Sequence, residues 1–165
     1  LLPDEVRRRL DEKKFTSKAD VHVVDGLYRA FFGGAADSAA QLNFSGLDWG
    51  EAEARQLKEV LPRFTRLKAL DLSRNKLGAT GASAIASLLK TMQISSLNLY
   101  YNNIGAEGAS ALAAVLKETR ISKLNLRSNG LGPKGAAALA EGLKGNSTLQ
   151  SLDLTNNSLC GITFG

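Results

Sequence analysis

Residues 67–77 read LKALDLSRNKL and place Leu67, Leu70, Leu72, Asn75 and Leu77 at the spacing L-x-x-L-x-L-x-x-N-x-L. Leu70 and Leu72 alternate with Asp71 and Ser73, as in a short strand with one buried face. Asn75 follows where the chain must turn, and its amide can bond backbone groups that the turn leaves unpaired. The spacing returns as Ile94, Leu97, Leu99, Asn102, Ile104, then as Ile121, Leu124, Leu126, Asn129, Leu131, and as Leu149, Leu152, Leu154, Asn157, Leu159. A degenerate copy runs Ala39, Leu42, Phe44, Leu47, Trp49. There Leu47 replaces the asparagine, so the first turn is expected to satisfy its backbone differently. The second position falls at 42, 70, 97, 124 and 152, in steps of 28, 27, 27 and 28 residues. Regular self-similarity of this length predicts stacked repeats.

Parallel neighbours require a crossover of a dozen or more residues, and a helix supplies it here. Ala82, Ile85, Leu88 and Leu89 form one apolar stripe, matched by Ala109, Leu112, Val115, Leu116 and by Ala136, Leu139, Leu143. The start of each crossover is also shared: Leu77-Gly78-Ala79-Thr80-Gly81-Ala82, Ile104-Gly105-Ala106-Glu107-Gly108-Ala109 and Leu131-Gly132-Pro133-Lys134-Gly135-Ala136. Each helix ends near a Leu-Lys pair at 89–90, 116–117 or 143–144.

Over residues 39–161 the chain thus resembles a leucine-rich repeat protein, and the longer unit resembles the ribonuclease-inhibitor subtype. The resemblance implies an α/β solenoid in the form of a horseshoe arc. A parallel sheet would line its concave face and helices its convex face. Residues 39–165 would make about five repeats, the last incomplete. Asn75, Asn102, Asn129 and Asn157 are structural on this reading.

The composition agrees. The 165 residues include 27 Leu and 22 Ala but only 11 Val and Ile together, which argues against a sandwich or barrel of β-branched strands. With one Cys and one His there is no disulfide framework and no cysteine- or histidine-based metal site to build. No apolar run approaches the ~18 residues of a membrane span. The net charge of +5 is mild.

A stacked array needs covered ends. Residues 3–14 read as a charged helix, and Ser17-x-x-Asp20 as a helix start. Val23, Val24, Leu27, Tyr28, Phe31 and Phe32 form an apolar segment expected to end at Gly33-Gly34. Residues 1–38 are therefore read as a helical cap, with Trp49 adding bulk to that end. Arg7-Arg8-Arg9 and Lys13-Lys14 could form a docking site, but interleaved acids favour a solvated helix face. At the other end Cys160 takes the place of Gly78, Gly105 and Gly132 and reads as a small, semi-buried residue. Ile162 and Phe164 are candidates to cover the last coil. The chain begins at Leu1 and stops after Gly165, and is expected to be a piece of something longer.

Motifs for phosphate, dinucleotide or H-E-x-x-H chemistry are absent from the sequence, and its acids show no general acid and base spacing. His22 falls in the cap segment, where a structural role is expected. The reading is of a non-enzyme without cofactor, metal or small-molecule substrate, placed in a reducing cytoplasmic setting. Repeat arrays instead offer a broad surface. By register, Asn43, Asp71, Asn98, Asn125 and Asp153 face outward between the strand leucines. Ser45, Ser73, Tyr100, Arg127, Thr155 and then Gly46, Arg74, Tyr101, Ser128, Asn156 follow. Tyr100 and Tyr101 stand between Arg74 and Arg127, with Lys123 nearby. Tyr and Arg are enriched at protein-binding hot spots.

The partner site is therefore assigned to Arg74, Tyr100, Tyr101 and Arg127, with Asp71, Asn98 and Asn125 as polar contacts. The expected function is a protein-interaction or scaffold module, with neither nucleic acid nor membrane as partner. The alternatives are a small-GTPase regulator similar to the Ran GTPase-activating proteins and the sensing repeats of a larger receptor. Those activators carry more repeats and an acidic tail, and a receptor's ATPase part is missing. Mammalian ribonuclease inhibitors are strongly acidic and cysteine-rich, unlike this chain.

Overall fold

The computed structural model describes residues 18–160, preceded by the separate positions Asp4, Arg8 and Asp11. Helix α1 (Lys18–Ser38) leads into five three-residue strands that alternate with four helices. These are β1 (Gln41–Asn43), α2 (Glu51–Val60), β2 (Ala69–Asp71), α3 (Gly78–Leu89), β3 (Ser96–Asn98), α4 (Gly105–Val115), β4 (Lys123–Asn125), α5 (Gly132–Leu143) and β5 (Ser151–Asp153). Short 3-10 turns at Leu61–Arg63 and Leu116–Glu118 close α2 and α4.

The strands form one parallel sheet in chain order, and the repeat spacing sets its register: Leu42, Leu70, Leu97, Leu124 and Leu152 pair straight across. Between sheet and helices, Leu72, Ile85, Leu99, Ile104, Leu112 and Leu126 are fully buried. Each large apolar side chain so placed contributes roughly 1.5–3 kcal/mol from leaving water. Burial falls off at the last strand, where Leu149, Leu152, Leu154 and Leu159 are only partly covered.

The asparagines tie successive repeats together. Asn129 Nδ2 donates to the carbonyls of Leu99, Leu126 and Arg127 at 2.8, 3.0 and 3.2 Å. Its Oδ1 accepts from the backbone N–H groups of Asn102 (3.0 Å) and Ile104 (3.3 Å). Asn75 acts likewise on the first turn, donating to the Phe44 carbonyl and accepting from Leu47 and Trp49 N–H. Leu47 therefore needs no amide of its own, because each asparagine serves the repeat before it and the first repeat has none.

Helix α1 does not stop at Gly33-Gly34, as the sequence suggests, but continues to Ser38. Two glycines cost about 1 kcal/mol each relative to alanine in a helix. Ala35 and Ala36 follow, and Ala36 is buried in the core. Ser38 Oγ also donates to the Gly34 carbonyl at 2.6 Å. Phe32 meets Phe64 edge-on with ring centres 5.9 Å apart, so the helix packs on the first repeat. The charged segment expected at 3–14 lies outside the described residues, apart from Asp4, Arg8 and Asp11; so do Ile162 and Phe164. Cys160 is exposed rather than semi-buried, since none of the described elements packs over it. No helix among the described residues is long and apolar enough to cross a membrane.

Candidate functional site

The residue after each strand-leucine position ends the strand through its own side chain. Asn43, Asp71, Asn98, Asn125 and Asp153 each accept, through Oδ1, the backbone N–H two residues on, at 2.8–3.1 Å. This local bond is an Asx turn, which draws the chain out of the extended conformation. Register alone assigns three of these residues, Asp71, Asn98 and Asn125, to a partner. Each has one oxygen engaged in the turn, and Asn98 Nδ2 also donates to Asp71 Oδ2 at 2.9 Å.

The turns carry the next two positions onto the surface. Tyr100 is half-buried and flanked on both sides by guanidinium groups. Arg74 Cζ lies 5.7 Å from its ring centre and Arg127 Cζ 5.9 Å. Both distances fall within cation–π range. Tyr101 packs against Tyr100 with 5.9 Å between ring centres, yet 62% of it remains exposed. It stands between two open depressions. One, of about 400 Å³, is lined by Asp48, Arg74, Asn75, Lys76, Tyr100 and Tyr101. The other, of about 280 Å³, adds Asn103, Ser128, Asn129 and Gly130 around the same tyrosine. The structure thus brings Arg74, Tyr100, Tyr101 and Arg127 together. It also adds Lys76, paired with Asp48 at 2.6 Å, and Asn103, which register reasoning left out.

The backbone here is unusual. Arg74 and Tyr101 both have φ of +55°, and Ser128 and Asn156 take the same left-handed conformation in their repeats. The first repeat uses Gly46 (φ +67°) at this position. A side chain costs roughly 1–2 kcal/mol there, so the large residues at 74 and 101 are held against local preference.

At the last strand, hydrogen bonds from Thr155 to Asp153 and then the nearby Arg127 charge hold the Asp153 carboxyl below its ordinary value of 3.8. A depressed carboxylate stabilises the fold above its unfolded pKa, and that contribution is lost as pH falls through the folded value. Replacing Thr155 by valine should raise the Asp153 pKa toward 3.8 in a carboxyl-carbon NMR titration. An unmoved titration would show that the hydroxyl bond is not the cause. Among the described residues, no three of His, Cys, Asp and Glu gather as a metal-holding group.

Comparison with known proteins agrees with this architecture. The Leucine Rich repeat profile matches residues 65–86, 94–113 and 121–140, and a second such profile matches 148–165. No curated protein sequence matches the chain significantly. Among solved structures, "Leiomodin-1 Actin-Binding Site 2" aligns with a TM-score of 0.68 and 25% identity, covering 76% of this chain and 75% of that one. The repeats read from residues 67–77 outward are leucine-rich repeats, and the domain they build is a leucine-rich-repeat solenoid.

Proposed function

We propose that the protein is a non-enzymatic binding module that holds a protein partner on the concave face, centred on Arg74, Tyr100, Tyr101 and Arg127. Asp71, Asn98 and Asn125 lie beside these residues as polar contacts. One observation carries the reading: two tyrosines flanked by two arginines are displayed together, and Tyr101 is 62% exposed at a position where other repeats carry Gly46, Ser128 and Asn156. Leucine-rich repeats and a structural neighbour described as an actin-binding site support a protein partner, and actin is the first to test. The unit length of 27–28 residues with a helical crossover supports the ribonuclease-inhibitor-like subtype. A helical cap over residues 1–38 accords with the packing of α1 on Phe64. A reducing, cytoplasmic setting rests on the single cysteine.

The experiment is cosedimentation with filamentous actin, and binding to monomeric actin, for the native chain and the Tyr100→Ala/Arg127→Ala variant. Loss of an aromatic–arginine anchor should weaken binding by tenfold or more. Equal affinity of the two proteins for actin would remove these residues from the site. Tyr101→Gly is the companion variant. It deletes the exposed ring where glycine suits the backbone, so binding should fall while the melting temperature holds.

A further inference from the structure

The fold does not spread the +5 charge of the chain evenly. Residues 1–38 hold seven basic and seven acidic side chains and cancel. In the solenoid, the four connections that lead from helix to strand (61–68, 90–95, 116–122 and 144–150) contain seven basic residues against Glu118 alone. The remainder of 39–165 has seven basic and eight acidic residues. The whole excess therefore lies on one edge of the solenoid, because every helix-to-strand connection emerges on the same side of a parallel sheet.

Four of the seven stand in strict register, Arg63, Lys90, Lys117 and Lys144, each 27 residues from the next. Cations at helix C-termini compensate the helix dipole, which accounts for this row. It does not account for Arg66, Lys68 and Arg120, which lie past the helix ends. All seven are exposed. Lys90 pairs with Glu118 at 3.1 Å and Lys144 with Glu141 at 2.5 Å. Among the described residues, Arg63, Arg66, Lys68, Lys117 and Arg120 have no carboxylate in ion-pair range.

We propose that this edge is a second binding surface, independent of the tyrosine site, and that it takes an acidic protein segment rich in Asp and Glu. Charge complementarity selects an anion. Of the large apolar side chains of the edge, Leu61, Phe64, Leu67, Met92, Leu116 and Ile121 are buried and Leu149 is partly covered. A single-stranded nucleic acid would find no aromatic platform for its bases, whereas a run of carboxylates needs only the cations. Strands about 4.8 Å apart put at least ~14 Å between the first and fourth connections, a span that four or five extended residues cover.

The test is an NMR titration of the full chain with a twelve-residue glutamate-rich peptide at about 50 mM salt, where screening is weak. A single-stranded oligonucleotide of equal charge is titrated in parallel. Shifts should cluster at 63–68, 90–95 and 117–123, with the peptide bound more tightly than the oligonucleotide. The neutral variant Arg66→Gln/Lys117→Gln/Arg120→Gln should weaken peptide binding about tenfold. Arg55→Gln/Lys58→Gln/Lys134→Gln removes as much charge from the helices and should change it less than twofold. Equal weakening by both variants would reduce the effect to net charge and overturn the proposal. So would absence of peptide binding, or tighter binding of the oligonucleotide. The spectra themselves show whether each variant is folded.

Discussion

Replacing Asn129 by alanine should destabilise the chain by about 4 kcal/mol, since each buried polar group left unpaired costs roughly 1–3 kcal/mol. Asn129 is 1% exposed, so water cannot replace its bonds without opening the coil. Its Nδ2 serves carbonyls of two successive repeats, and its oxygen serves two backbone N–H groups of the preceding repeat. Alanine strands several of these at once. Aspartate is no rescue, because it keeps the acceptor, loses the donor and buries a charge. Urea denaturation measures the effect; a loss under 1 kcal/mol with an unchanged m-value would show that the inter-repeat bonds are not the main support of the turn.

Gly142→Ala is the second large effect, and its sign runs against helix propensity. Alanine normally gains about 1 kcal/mol over glycine inside a helix. A Cβ at 142 would lie 2.4 Å from the Ala113 carbonyl oxygen and 2.8 Å from its carbon. That neighbour is backbone of α4 and cannot rotate away, so α5 must shift bodily. Overpacking of this kind costs typically 1–3 kcal/mol and sometimes more, and a net loss of about 2 kcal/mol is expected. Gly34→Ala is the control. Nothing lies within 4 Å of the Cβ it would add, and its helical position is ordinary, so it should stabilise the chain by about 1 kcal/mol. Thermal melts of the two variants should move in opposite directions.

The repeat was legible because buried leucine at strand positions has no substitute of other spacing. The recurrence of one eleven-residue spacing predicts the parallel sheet and its register, and the apolar stripes that follow the copies predict the crossover helices. The end of α1 was not legible, because Gly33-Gly34 signals a stop unless the core position of Ala36 is known. Nor was the close approach of Gly142 to Ala113, which depends on how two helices separated by a strand come to rest. At the candidate site, register placed Tyr100 between two arginines. The left-handed backbone at Arg74 and Tyr101 is signalled only indirectly, by Gly46 and Asn156 at the equivalent position of the first and last repeats. The Asx turns had a visible signal, Asn or Asp at the same position in all five repeats. The basic edge was hidden because its residues are scattered through the sequence and gather only when repeats stack.

A protein partner is expected to contact the face bearing Tyr100 and Tyr101. Site-specific photo-cross-linking reads this directly, with the reactive side chain placed at Tyr101 in one chain and at Ser87, exposed on the helical face, in another. Adducts with the partner should form from position 101 and not from position 87. Cross-linking from 87 with none from 101 would put the partner on the helices instead of the sheet face.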